Sequence, residues 1–125
     1  MSAETSLYSA LLAAGTVTAI VGSGSNARIY PDLVPLDVDP PYVAYSRTST
    51  EFVLTIHSGT PVAEDATIEI MCMDTTKAGA DALADAVAPV VGAAGYRLIS
   101  RASVAPDPEA VLSATTLTVV KFSTL

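Results

Sequence analysis

Hydrophobic residues along this chain recur at two periods, and the switches between them mark its elements. Residues 4–14 set Leu7, Tyr8, Leu11 and Leu12 at helical spacing before Gly15 interrupts the run, which predicts a short amphipathic helix. The next stretch, Thr16–Val21, reads two ways. Thr16 can cap one helical turn ending at Gly22, or the β-branched residues can form a strand. Between Gly22 and Pro41 no period is sustained, and four prolines and two glycines interrupt the backbone. The expectation there is a long loop, and long loops in compact domains are usually functional or interfacial.

Tyr42–Ser49 then reads as a strand. In a second apolar stretch Phe52, Leu54 and Ile56 alternate with Val53, Thr55 and His57, and Ser58-Gly59-Thr60-Pro61 supplies a turn. In the strand expected over Ala63–Met73, Ile68, Ile70 and Cys72 point one way while Thr67, Glu69 and Met71 point the other. Such alternation belongs to a sheet covered on one side. Asp74-Thr75-Thr76 offers an N-cap for a helix over 77–88, whose apolar stripe is Ala80, Leu83, Ala84 and Val87 and whose outer face carries Asp81 and Asp85. Pro89 is expected to end or kink it. Tyr96–Arg101 and Leu117–Phe122 read as two closing strands joined through Ala105–Glu109. The fold class is α+β: one domain over 1–125, with an antiparallel sheet of four to five strands and two helices packed on one face.

Composition sharpens this picture. Half of the residues are hydrophobic but only 6% are aromatic and none is Trp, so the core is built from small aliphatics. Charged residues are 15%, against about a quarter in ordinary soluble domains. Burial against other subunits accounts for that, and so does a low-charge surface rich in Thr and Ser. Thirteen acids against six bases give a formal net charge of −7, with both signs scattered. This balance argues against wrapping nucleic acid or docking on anionic lipid, which need clustered Lys and Arg. The single cysteine, Cys72, excludes an internal disulfide and lies in an apolar strand, as a buried structural thiol does. The N-terminus lacks the basic and apolar regions of a signal peptide, and no apolar run approaches the ~18 residues that span a bilayer. The expectation is an intracellular chain with no membrane partner.

Reactive chemistry is sparse. Gly22-Ser23-Gly24-Ser25-Asn26-Ala27 fits the G-x-G-x-x-A form of a dinucleotide fingerprint, but that site needs a helix starting there to meet the pyrophosphate. Pro31, Pro35 and Pro40-Pro41 leave no room for one, and there is no Walker-type lysine. His57, the only histidine, has Ser58 beside it and Asp65 nearby, yet adjacency in sequence is not triad geometry and no Gly-x-Ser-x-Gly elbow exists. Glu64-Asp65 and Asp37-x-Asp39 lack the spacing of a calcium loop. The reading is of a non-enzyme with no catalytic residues, cofactor or metal.

Two runs carry more information: Arg28-Ile29-Tyr30-Pro31, and Pro40-Pro41-Tyr42-Val43-Ala44-Tyr45-Ser46-Arg47. Together with the leading helix at Leu7–Leu12, Val17–Gly22 and the helix around Ala82–Val87, their order resembles the tail-terminator (tail-completion) proteins of long-tailed bacteriophages and phage-like gene transfer particles. The correspondence covers nearly the whole chain. It departs at Thr50–Ala66, which does not align, and at the aromatic-rich closing strand, represented by Phe122 alone. The resemblance implies a virion protein assembled in the host cytoplasm, forming a hexameric ring on the head-proximal end of the tail tube. Its partners would be its own copies, the tail tube protein and the head–tail connector, with double-stranded DNA passing through the channel without specific binding.

On that reading the candidate interface residues are Phe52, Leu54, Ile56 and His57 in the Thr50–Ala66 segment, with Arg47, Arg97 and Arg101 pairing to acids across subunit boundaries. The loop over 28–41 would be a rim or neighbour contact. An ordinary sheet hairpin and intrachain ion pairs explain the same residues. The alternatives for function are another neck or tail component, such as a head-closure or tail-tube protein, and a small cytosolic ligand-binding module using the Gly22–Pro41 loop.

Overall fold

One-sided alternation of apolar residues dictates the architecture. In the computed structural model, which describes residues 3–32, 39–54, 59–107 and 112–124, helices α1 (Ala3–Ala13) and α2 (Gly15–Val21) precede strands β1 (Ile29–Pro31), β2 (Tyr42–Leu54) and β3 (Pro61–Asp74). Helix α3 (Lys77–Ala93) follows, then β4 (Arg97–Asp107) and β5 (Leu112–Thr124). The strands form one sheet in the order β1-β2-β3-β5-β4. All neighbours are antiparallel except β1 and β2, which run parallel. Ala66, Ile68, Ile70 and Cys72 of β3 and Leu117 and Val119 of β5 are buried beneath the helices. The α+β class, five strands included, is as the sequence implies.

Three helices form the covering layer rather than the expected two, because Thr16–Val21 resolves as helix. Val17 and Val21 are fully buried while Ala19 between them is exposed, a pattern a strand cannot produce. Gly15 therefore opens α2 instead of merely closing α1. The two helices meet at 85° through Ala14, whose backbone is extended (φ −87°, ψ 113°). That turn brings Leu7 and Leu11 to the same core as Val17 and Val21.

Helix α3 starts as expected: the Thr76 hydroxyl accepts a hydrogen bond from the Gly79 N–H at 3.0 Å. A Cβ on Gly79 would lie 2.2 Å from Asp74 Oδ2, so a larger residue here would have to push that carboxylate aside. Ala80, Leu83, Ala84 and Val87 are buried as the stripe predicts. The helix does not stop at Pro89, however, but runs to Ala93. The missing proline N–H costs one bond, to the carbonyl of Asp85 on the exposed side, while buried Val87 and Val91 hold the final turns on the core. The end is a Schellman motif. Tyr96 N–H bonds the Val91 carbonyl at 3.0 Å and Gly95 N–H bonds that of Gly92 at 3.2 Å, with Gly95 at φ +93°.

Two more expectations need correction. The stretch read as loop holds a strand, β1, paired Ile29↔Val43, Tyr30↔Ala44 and Pro31↔Tyr45. Three residues are too few to show a period. The two stretches read separately as 42–49 and 52–56 are one strand, β2, with an irregularity between Arg47 and Ser49 that leaves Thr48 without a cross-strand partner. That extra residue resets the alternation, so the run looks broken in sequence. Strands β4 and β5 are also longer than the apolar cores that announced them.

Cys72 sits fully buried between β3 and the helices, and burial pushes its thiol up to about 12 from an ordinary 9.0. Burial raises the Tyr42, Tyr45 and Tyr96 phenols as well. For each group the folded state holds its proton to higher pH than the unfolded chain does. The stabilisation is therefore complete below pH about 9 and lost as pH climbs toward about 12. Melting temperature should fall steadily over that window and more shallowly in Cys72→Ala, measured by differential scanning calorimetry. A thiol reagent at pH 8 should label the wild type only after denaturation.

Candidate functional site

The helical layer stops short of the β2–β3 hairpin, whose far end extends from the body of the domain. Phe52 and Leu54 are each 55% exposed there, with Val53 and Val62 also open. Phe52 lies opposite Glu64, on the helix side of the sheet, and Val53 lies opposite Ala63 on the other side; a second register shift separates Val53 from Leu54. Ile56 and His57 fall outside the described residues. Exposed large apolar groups clustered on one projection are unlike the scattered single ones of ordinary surfaces.

Arg47 fixes the root of this hairpin. It lies opposite Ile68 and so points to the helix side, where it bonds Glu4 of α1 through two nitrogens, Nη2–Oε2 at 3.0 Å, and Thr50 Oγ1 at 3.0 Å. Glu64 Oε1 is 3.5 Å away. Arg101 ties β4 to α3, with Nη1 2.7 Å from Asp85 Oδ1 and Nη2 3.3 Å from the Asp81 carbonyl. Asp81 also accepts from the Thr115 hydroxyl at 2.7 Å. Arg97 is exposed and has no ion pair with any described residue. Of the three arginines expected at subunit boundaries, two are engaged within the chain and one is open.

The uncovered face carries features that sequence reasoning missed. Glu51 lies directly opposite Asp65, which lies opposite Phe122, so one row across β2, β3 and β5 holds two carboxylates and a 58% exposed ring. Glu69 lies further along the same face, opposite Ser46 and Thr118. Phe122 was readable as outward-facing: Leu117 and Val119 alternate inward, and Lys121 in the same phase reaches Ser6 and the Ala94 carbonyl on the helix side.

At the other edge the two informative runs meet, since Arg28–Pro31 supplies β1 and Pro40–Arg47 leads into β2. Arg28 donates to the Pro41 carbonyl at 2.8 Å and to the Ile20 carbonyl at 3.3 Å, binding α2 to the start of β2. Tyr30 and Tyr42 rings meet edge to face at 6.5 Å. A cleft of about 610 Å³ lies beside them, walled by Tyr8, Ile29, Tyr30, Pro31 and Tyr45 with Glu4 at its side. Among its described lining residues the acid, Glu4, is bound to Arg47, and the phenols include Tyr45, which burial keeps protonated. That is a wall for apolar or aromatic groups. Among the described residues no three His, Cys, Asp or Glu side chains converge as a metal site would require. No single described helix is long and apolar enough to cross a membrane, and the bent α1–α2 pair buries its apolar face in the core.

Among the described residues, a sheet covered on one face and an exposed apolar hairpin make contact surfaces the prominent features of the fold. The tail completion protein gp17 family model matches residues 5–124, and the chain belongs to that family: it is a structural component of a virion tail. Among solved structures it is similar to a chain in the virion of a native gene transfer agent particle, with TM-score 0.70 and 16% identity over 98% of this chain and 95% of the other. At that identity the likeness speaks for the fold. No curated protein matches the sequence.

Replacing Arg47 by Ala strands Glu64 and Glu4 without their cation at a partly buried site. The expected loss is about 2 kcal/mol of unfolding free energy by urea titration, with the hairpin amides exchanging faster than those of α3.

Proposed function

We propose that the protein closes into a ring with copies of itself on the head-proximal end of the tail tube, stops tube growth there and presents a surface to the head connector. The observation that carries this reading is the β2–β3 hairpin. Phe52, Val53, Leu54 and Val62 are exposed beyond the helices on a chain of the tail completion family. Burying such a group stabilises a contact by roughly 1.5–3 kcal/mol per side chain, so the projection is suited to capping a tube or gripping a neighbour.

Size is compatible with passage of a genome. A compact domain of this length has a radius of gyration near ~14 Å and a width of roughly 30–35 Å. Six such bodies around an axis leave a hole of roughly 30–40 Å, wider than a DNA duplex of about 20 Å. The charge balance is compatible too. Of six bases, Arg28, Arg47, Arg101 and Lys121 are engaged by the protein's own acceptors, while Glu51, Asp65 and Glu69 face outward. A channel lined by such a face repels phosphates rather than binding them, an effect weakened by salt.

The decisive variant is Phe52→Asp with Leu54→Asp. It should keep the wild-type circular dichroism spectrum and melting temperature within about 2 °C, since both side chains are already exposed. It should fail to cap, giving overlong tubes by negative-stain imaging when added to tube protein. Tubes of normal length would remove the hairpin from the mechanism, and tubes lengthened by the wild type itself would mark a tube protein instead.

A further inference from the structure

Every copy carries a projection and a hollow of matching chemistry, and the two lie well apart on the molecule. The projection is the end of the β2–β3 hairpin, where Phe52 points to the helix side and is, like Leu54, 55% exposed. The hollow is the cleft of about 610 Å³ between α1 and β1, walled in part by Tyr8, Ile29, Tyr30 and Tyr45. Its volume falls within the roughly 300–1,000 Å³ of ordinary binding clefts, room enough for more than one large side chain. Its aromatic and aliphatic wall offers Phe52 and Leu54 the apolar cover they lack in a single copy.

The projection cannot fill the hollow of its own chain. β2 is a single strand from Tyr42 to Leu54, held to β3 along that length; Tyr45 near its start lines the cleft, and Leu54 stands at its far end. Residues 45–54 at about 3.3 Å apiece set the two roughly 25–30 Å apart. That reach is close to the roughly 30–35 Å width of one subunit, which is also the spacing of neighbours in a closed ring of six. Charge agrees with the pairing. The hairpin end bears Glu51 opposite Asp65, neither in an ion pair among the described residues. Arg28, between Ala27 and Ile29 of the cleft wall, donates to the Pro41 and Ile20 carbonyls and pairs with no described carboxylate.

We propose that the hairpin end of one copy, with Phe52 and Leu54, seats in the α1–β1 cleft of the next copy. The inference rests on the ring reading and names its contact. Key and seat occupy different places on one surface, so the contact is head-to-tail, and repeated rotation closes such a series into a ring.

The test separates the two halves of the contact on the full chain, by native mass spectrometry and light scattering with and without tail tubes. Phe52→Asp with Leu54→Asp removes the key and leaves the cleft. Thr5→Trp, at an exposed cleft residue, fills the seat and leaves the key. Each should raise the concentration for half-assembly roughly tenfold or more, with the melting temperature of the subunit kept within about 2 °C. Mixed in equal amounts, the two should form dimers and no rings, because the intact key of one fits the intact seat of the other and the remaining key and seat are both spoiled. A photoreactive phenylalanine analogue at position 52 should crosslink to residues 4–8 or 27–31, and isotopically mixed subunits should show that the link runs between copies. Variants that form rings like the wild type, or crosslinks only to tube protein or within one copy, would overturn the contact and leave the ring standing. A wild type that stays single in solution and on tubes would overturn ring and contact together.

Discussion

Helices cover one face of the sheet and only part of its length, and most other features answer to that arrangement. Beneath the helices the residues are small and apolar, and Ala80 and Ala84 let α3 lie close to β3 and β5. Outside that shelter the same strands become polar on the open face and apolar at the hairpin, where no helix reaches. Among the described residues, a free monomer of this design leaves large apolar groups in water and two strand edges without a strand partner. The shape is that of a part, and membership of a tail completion family is in keeping with it.

Arginine does the joining between layers. Arg28 links α2 to the start of β2, Arg47 links α1 to the hairpin root, and Arg101 links β4 to α3. Each uses the planar fork of donors to engage two acceptors at once, which an ammonium group does less well. Two of the three also take up carboxylates, Arg47 those of Glu4 and Glu64 and Arg101 those of Asp81 and Asp85, so the joints use charges of both signs. These joints sit at the periphery of the core, where they orient elements that aliphatic packing alone would allow to slide.

Much of this was legible in the chain. The alternation in β3, the stripe and cap of α3, and the order of elements follow from residue type and spacing, because each is a local pattern read against one buried face. The ring-bearing row Glu51–Asp65–Phe122 was not legible, since it depends on which strands lie side by side, and β5 entering between β3 and β4 is a long-range choice. β1 was hidden for the same reason: three residues become a strand only because β2 lies alongside. The bulge at Thr48 concealed that two apolar stretches were one. Pro89 misled in the other direction, its local penalty being outweighed by the burial of Val91 beyond it. As for the candidate residues, Phe52 and Leu54 were visible as an alternating apolar pair, whereas the distinction between Arg97 and its two bonded counterparts required knowing where the acids of α1 and α3 come to rest.

The insertion of β5 between β3 and β4 has a bearing on how the protein is made. Residues 97–107 cannot find their partner until residues 112–124 have left the ribosome, because the strand they need is encoded after them. Any nascent fragment lacking β5 therefore leaves β4 without a strand partner and β3 paired with β2 alone. A fragment that stops short of residue 112 thus exposes, on β3 and on β4, two strand edges that β5 later joins.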